Sequence, residues 1–453
     1  MLNIKIIVKG DTKMKNKDIE LKKSRTKILS IMEVICFNGF YLGIQGFIML
    51  NLAIYFHVNI FFTSILITLP TAGQCLQIFT NIVKKFLKTR KRTLMVMGMF
   101  ARLSIILIPI AIYFDFRNPY IFIFVITIYS LFSPFVGSVW MIIMMEIINK
   151  DERGRYFGKR SLFSSMSAGL YLLLYGYLLN FTNQKQGYLI LTTMMALFSI
   201  STLVLLYYHY VPEIENSKES KLNFKDVVKD KKFMVYLRYV AVWVFTWELI
   251  KPSFEYYRVK ILGVNPMFLS QTSAITSIVL MTMYTLYGRA ADKYGNKKML
   301  EICAKLTIIY ILLYILMTPH NYKIMVLSIG ILEGIAFAGI NICFFNLLLE
   351  VSKKPADMYI ALYVFVNGVV ALAAGILSGT LASIFSSKYI ILFGEKFYLI
   401  KIIFIIGLVL RILSLYQLSK VEVFYKQINY RYIKGKAGKK IKLKIENYRK
   451  SKN

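Results

Sequence analysis

The chain has 453 residues, 57% of them hydrophobic, and a mean hydropathy of +0.56, more apolar than a soluble domain of this size would be. Its formal charge of +34 would suggest a nucleic-acid partner in a soluble protein. Here the Lys and Arg gather in short polar breaks and both tails, which argues against nucleic acid and for the basic loops of a membrane protein.

Residues 1–27 form a basic tail, expected to be poorly ordered. A first apolar span follows over about 28–56. It is too long for a signal-peptide core and lacks an Ala-x-Ala site, so it is expected to stay in the mature protein. A break at His57–Asn59 leads to a second span, about 60–83, and then to the basic run 84–92. Spans three and four, about 93–114 and 119–148, are separated by a small break at Asp115–Asn118 and closed by a second basic loop, 149–160. Spans five and six, about 161–181 and 187–211, complete a first half over 28–211. The polar segment 212–232 divides the chain, and a second half over 233–419 repeats the rhythm. Its spans fall near 233–256, 266–288, 298–318, 322–350, 358–386 and 397–419, before a basic tail, 420–453.

The prediction is an all-α integral membrane protein, with each apolar run matched to a hydrocarbon core about 30 Å thick. Twelve crossings put both tails on one side. The basic loops fall on that same side, so both termini are expected in the cytoplasm of a multi-pass protein of the plasma membrane. The lipid bilayer is thus one partner. The halves also match locally: Gly169 and Gly176 in span five are spaced like Gly368 and Gly375 in span eleven, and Glu146 corresponds to Glu350. Such repeats are expected of carriers whose two six-helix halves rock about a central site.

Ionisable groups within apolar spans are costly and usually face a cavity or a partner. Glu333 lies near the middle of span ten, flanked by Gly330, Gly334 and Gly339, and suits proton uptake and release; a structural hydrogen bond to a neighbouring helix is the other use. In span seven, Glu248 and Lys251 share a helix face and could form an internal pair, while Pro252 is expected to break the helix; a gate and an interfacial cluster both fit this pattern. Arg102 in span three and Arg411 in span twelve could hold an anion, pair with a buried acid, or snorkel to the cytoplasm. Glu33 is expected in an ion pair at the inner rim. Gln45, Asn38, Asn51, Gln74, Gln77, Asn341 and Asn346 could line a cavity or bond helix to helix.

Cys36, Cys75, Cys303 and Cys343 all lie inside apolar runs without a CxxC neighbour, so neither disulfides nor zinc is expected. No phosphate-binding Gly-x-x-x-x-Gly-Lys motif occurs, and His57, His209 and His320 are isolated. No cofactor and no enzymatic centre is expected.

One loop is more explicit: Gly288-Arg289-Ala290-Ala291-Asp292-Lys293-Tyr294-Gly295-Asn296-Lys297-Lys298. Gly288 would let a neighbouring backbone approach, Gly295 would permit a tight reversal, Asp292 would cap a helix start or meet a cation, and Lys297 and Lys298 would anchor at the anionic leaflet. The loop resembles the signature of the major facilitator superfamily. The resemblance implies that family's twelve-helix fold in two pseudo-symmetric halves. It also implies transport of a small molecule by alternating access, coupled to a proton or another ion, by an expected monomer. By the same resemblance the loop would be a cytoplasmic latch, with Glu350 an acidic partner for Arg289. Arg153-Gly154-Arg155-Tyr156-Phe157-Gly158 also resembles a family loop, in which Glu146 or Glu152 could meet nearby basic groups. The first-half copy of the signature has decayed: Asn81, Lys85 and Lys88 stand opposite Gly288, Asp292 and Gly295. Span five lacks the Gly-Pro motif of many drug/proton antiporters of the family, which counts against drug export. A transporter-like scaffold or sensor that moves nothing is the rival function.

Overall fold

The computed structural model describes residues 2–149, 152–212, 224–353, 357–392 and 395–422. Twelve helices in it are long and apolar enough to cross a membrane: Asp18–Ile44, Ile60–Leu87, Arg90–Tyr113, Pro119–Ile147, Arg153–Leu179 and Gln184–Tyr207 in the first half, then Lys231–Ile261, Pro266–Tyr294, Asn296–Leu316, Tyr322–Val351, Met358–Phe385 and Lys401–Ser419. They are numbered here as spans one to twelve. Most of the expected segment 212–232 and of the tail 420–453, with Lys150 and Asp151, lies outside the described residues.

Short polar residues start these helices. Asn59, Asn118, Asn183 and Asn265 each accept a hydrogen bond from a backbone N–H of the first turn, and Pro119 and Pro266 take the position where a missing N–H costs nothing. The breaks between spans one and two and between spans three and four turn on His57 (φ 56°) and Asp115 (φ 57°). Four expectations change. The first helix starts at Leu2 and runs to Tyr41, so the basic tail is helical; Lys22–Asp18 and Lys23–Glu20 pairs one turn apart support it. Span one is discontinuous: a 3₁₀ turn, Leu42–Ile44, ends at extended Gln45, Gly46 takes φ 54°, and a second helix runs Gly46–Tyr55. Span seven passes through Pro252 unbroken and ends in a π-turn, Tyr257–Ile261, because neighbouring groups absorb the lost hydrogen bond. Finally, residues 389–398 between spans eleven and twelve form a two-stranded antiparallel hairpin.

The basic loops and both described chain ends share one face of the bundle, called the basic face here. On the opposite face one apolar core joins the halves, from Phe40, Ile44 and Phe47 through Leu191 and Met195 to Leu249, Phe254 and Phe404. Toward the basic face that core divides. One cluster, with Leu94, Val139 and Ile143, belongs to the first half; another, with Tyr239, Leu300 and Leu347, belongs to the second.

Glycines mark where the halves meet. A Cβ at Gly176 of span five would collide with Ser270 of span eight, and one at Gly375 of span eleven with Thr68 of span two. These are corresponding positions of the repeat, and each lets two helices of different halves pack backbone to backbone. Asn265 donates to Asn180 at 3.0 Å across the same seam. Nearer the basic face, Gly154, Gly158 and Gly169 of span five and Gly288 of span eight meet nothing within 4 Å. Gly368 of span eleven still abuts Ala72 and Cys75 of span two. These glycines of spans five and eight adjoin open space, whereas Gly368 of span eleven is packed on span two.

Candidate functional site

Span seven carries Glu248, Lys251, Glu255 and Arg258 three or four residues apart, which places all four on one helix face. Glu248 is 3% exposed; it lies near Tyr41 and Thr71 of the first half, and its Oε2 has no hydrogen-bond partner. It forms no ion pair with Lys251, although the Lys251 charge acts on it. The ion pair on this face is one turn on: Arg258 Nη2 meets Glu255 Oε1 at 2.6 Å, both side chains nearly buried. The break in span one abuts it, with a Glu255 oxygen 3.6 Å from where a Cβ on Gly46 would stand. Gln45, at that break, has a buried Nε2 with no partner.

Glu333 faces this group from span ten. The charges acting on it are those of Arg258, then Glu255 and Lys251, yet among the described residues it has neither an ion pair nor a hydrogen bond. Glu255 is not among the site residues expected from the sequence, and the expected span of about 233–256 leaves Arg258 just beyond its end. The spacing of four charges down one face was the signal that could have found them. Asn341 is not part of this group; it is exposed and donates to the Tyr284 hydroxyl at 3.0 Å.

The first half contributes a cavity of about 390 Å³. Arg102 is at its wall, 2% exposed, its guanidinium 5.2 Å from the ring centre of Phe37, 4.6 Å from Phe40 and 5.8 Å from Tyr129. Its Nε and Nη1 have no hydrogen-bond partner. Glu33, also in the wall, pairs with Arg160 at 3.1 Å, and Arg160 lies over the Trp140 ring at 4.2 Å. Gln74 lines the cavity and accepts from Gln77. Asn38 lines it too and also bonds helix to helix, donating to Ser164 and Ser167 of span five. Arg411 neither pairs with an acid nor snorkels: it is fully buried, flat on Trp243 at 3.6 Å, with three nitrogens unpartnered.

At the 288–298 loop Gly295 turns the chain with φ 86°, and Asn296 starts span nine. Gly288 meets no backbone, and Asp292 lies in the last turn of span eight rather than at a helix start. Neither Arg289 nor Asp292 has an ion pair among the described residues, and both are exposed. Glu350 is taken instead by Asn296, at 2.6 Å. Lys297 donates to the Ser419 carbonyl at 2.9 Å, and Lys298 lies over Tyr294. In the first half, Arg90 pairs with Glu146 at 2.8 Å, Lys27 with Glu152 at 3.0 Å, and Arg153 donates to the Ile148 carbonyl at 3.3 Å. Each of these contacts stays within one half.

The sequence profile of the Major Facilitator Superfamily matches residues 31–283 and 240–429. Among solved structures, the chain is similar to a point variant of the nucleoside transporter NupG (14% identity, TM-score 0.64, covering 88% of this chain and 99% of that one). It is also similar to a D-xylose-proton symporter (13%, 0.64, 89% and 97%) and to a bacterial metal transporter (9%, 0.59, 88% and 98%). No curated protein matches the sequence significantly. At these identities the structural likeness speaks for the fold alone.

Proposed function

The chain belongs to the major facilitator superfamily, and on that premise we propose that it is a secondary active transporter, moving a small molecule by alternating access and coupling the movement to protons or another ion. The observation that carries this is the divided core: one apolar cluster joins the halves on one face, and two separate clusters serve them on the other. Closed on one side and parted on the other is the form one end state of a rocking carrier takes. The excess of Lys and Arg supports reading the basic face as the cytoplasmic one. The open side would then be the inner one, both termini would be cytoplasmic, and the protein would sit in the cell membrane.

Glu333 is the coupling residue in this proposal. It is an unpaired carboxyl of a membrane span, next to a Glu255–Arg258 pair whose cation could be shared between two acids. The break in span one beside Glu255 supports it, since interrupted helices supply free backbone groups at carrier sites. The latch would close only in the opposite state, when Arg289 and Asp292 come against the first half.

Proton flux in proteoliposomes, measured over a broad panel of small molecules for wild type and Glu333→Gln, tests the proposal. Compound-dependent proton movement that disappears in the variant is expected. Proton movement undiminished in the variant would remove Glu333 from coupling. Absence of any flux, from folded and inserted protein, would favour a non-transporting role.

A further inference from the structure

We propose that the substrate is an organic monoanion and that Arg102 takes its charged group inside the first-half cavity. This rests on the carrier reading above and adds the substrate's chemical class. The cavity wall holds three charged side chains, Glu33, Arg102 and Arg160. Glu33 and Arg160 neutralise each other at 3.1 Å, and Trp140 holds the Arg160 guanidinium in place. Arg102 is left with no counterion, and the space carries one net positive charge. Three rings around the guanidinium stabilise it partly, but two of its nitrogens have donors aimed at nothing. A buried charge without a partner is costly, and a ligand that supplies the partner recovers that cost.

The fit selects among ligands. A cation meets like charge, a neutral molecule can accept from Arg102 but leaves its charge uncompensated, and a dianion brings one charge too many. A space of about 390 Å³ accommodates a small organic molecule rather than a bare inorganic ion. Phe37, Tyr41, Tyr129 and Trp140 give it an aromatic side, opposite in character to Asn38, Gln74 and Ser133 in the same wall, so the body of the ligand carries an aromatic or apolar face and has room for hydrogen-bonding groups. Arg411 shows by contrast that a buried arginine alone is no site: all three of its nitrogens are unpartnered, but it lies against Trp243 rather than in the wall of this cavity.

The test is equilibrium binding to the full-length protein in detergent, by calorimetry and thermal shift. The probes are monocarboxylates from lactate to benzoate and indole-3-acetate, each beside its amide. At least one acid should bind ten-fold or more tightly than its amide. Arg102→Gln should abolish that preference, and Arg102→Lys should keep it at lower affinity. Ser133→Glu, which adds an acid to the same wall without touching Arg102, should also abolish it, and serves if Arg102→Gln does not fold. If no acid outbinds its amide in wild type, or the preference survives both Arg102→Gln and Ser133→Glu, the proposal is overturned. Because binding needs no flux, the two readings fail separately. Acid binding lost in Arg102→Gln but without transport would leave the anion site standing and remove the carrier. Transport of neutral compounds without acid binding would do the reverse.

Discussion

At the residue scale, the chemistry lies in charged side chains that a membrane span would ordinarily exclude. Glu255 and Arg258 hold each other at 2.6 Å in a nearly buried setting. Removing one partner leaves the other uncompensated, so Arg258→Met should destabilise the fold by about 3 kcal/mol. Glu255→Gln with Arg258→Met should recover much of that. Denaturant unfolding of the detergent-solubilised variants checks both. Glu333→Gln, by contrast, breaks no ion pair; it should unfold like wild type while losing proton-linked flux, and a large stability loss would mark Glu333 as structural. Glu333 was legible as an isolated acid in an apolar run. Its neighbours were not, because Glu255 and Arg258 sit close to the end of span seven, where a linear sequence cannot separate a buried face from a loop.

At the element scale, caps and glycines decide where helices begin and how near they come. Asp230 caps span seven, accepting from Lys232 and Phe233 N–H, and also meets Lys353 at 3.1 Å and the Tyr359 hydroxyl at 3.2 Å. Burial alone would favour its neutral form, but the bonds from Lys353, the Phe233 N–H and Tyr359 outweigh it and hold the carboxyl below the usual range. A depressed folded-state value gives stability that is full above the unfolded value, about 3.9, and is lost as pH falls through the folded one. Asp230→Asn should therefore cost about 1 kcal/mol or more near neutral pH, and the gap to wild type should close in acid below the ordinary carboxylate range. Thermal unfolding of both proteins across pH 3–7 checks the sign. Gly375 acts differently. A Cβ there would meet Thr68, so Gly375→Leu should push spans two and eleven apart and lower flux at least ten-fold while both halves stay folded. Flux in proteoliposomes with a retained gel-filtration profile checks it.

At the scale of the whole molecule, the halves meet at a seam on one face, where Asn265 donates to Asn180, and the proposed alternating access would pivot there. Cysteines at both positions, in a background lacking Cys36, Cys75, Cys303 and Cys343, should be bridged by a short bifunctional thiol reagent. Bridging should stop flux, and cleavage of the linker should restore it. Undisturbed flux in the bridged protein would mean that this face need not open. The number of spans and their repeat were written in the sequence, because the hydrocarbon core fixes span length. Short motifs marked the turns: Gly295 could be read as a reversal because few other residues adopt its φ of 86°. The interruption of span one at Gln45–Gly46, the passage of span seven through Pro252 and the pairing of Glu350 with Asn296 were decided by tertiary structure. So were the two charged groups, Glu33, Arg102 and Arg160 in the first half and Glu255, Arg258 and Glu333 in the second. Apolar periodicity says only that a segment is buried in lipid or protein; which helix lies against which, and therefore which charges lack a partner, depends on packing between segments far apart in the chain.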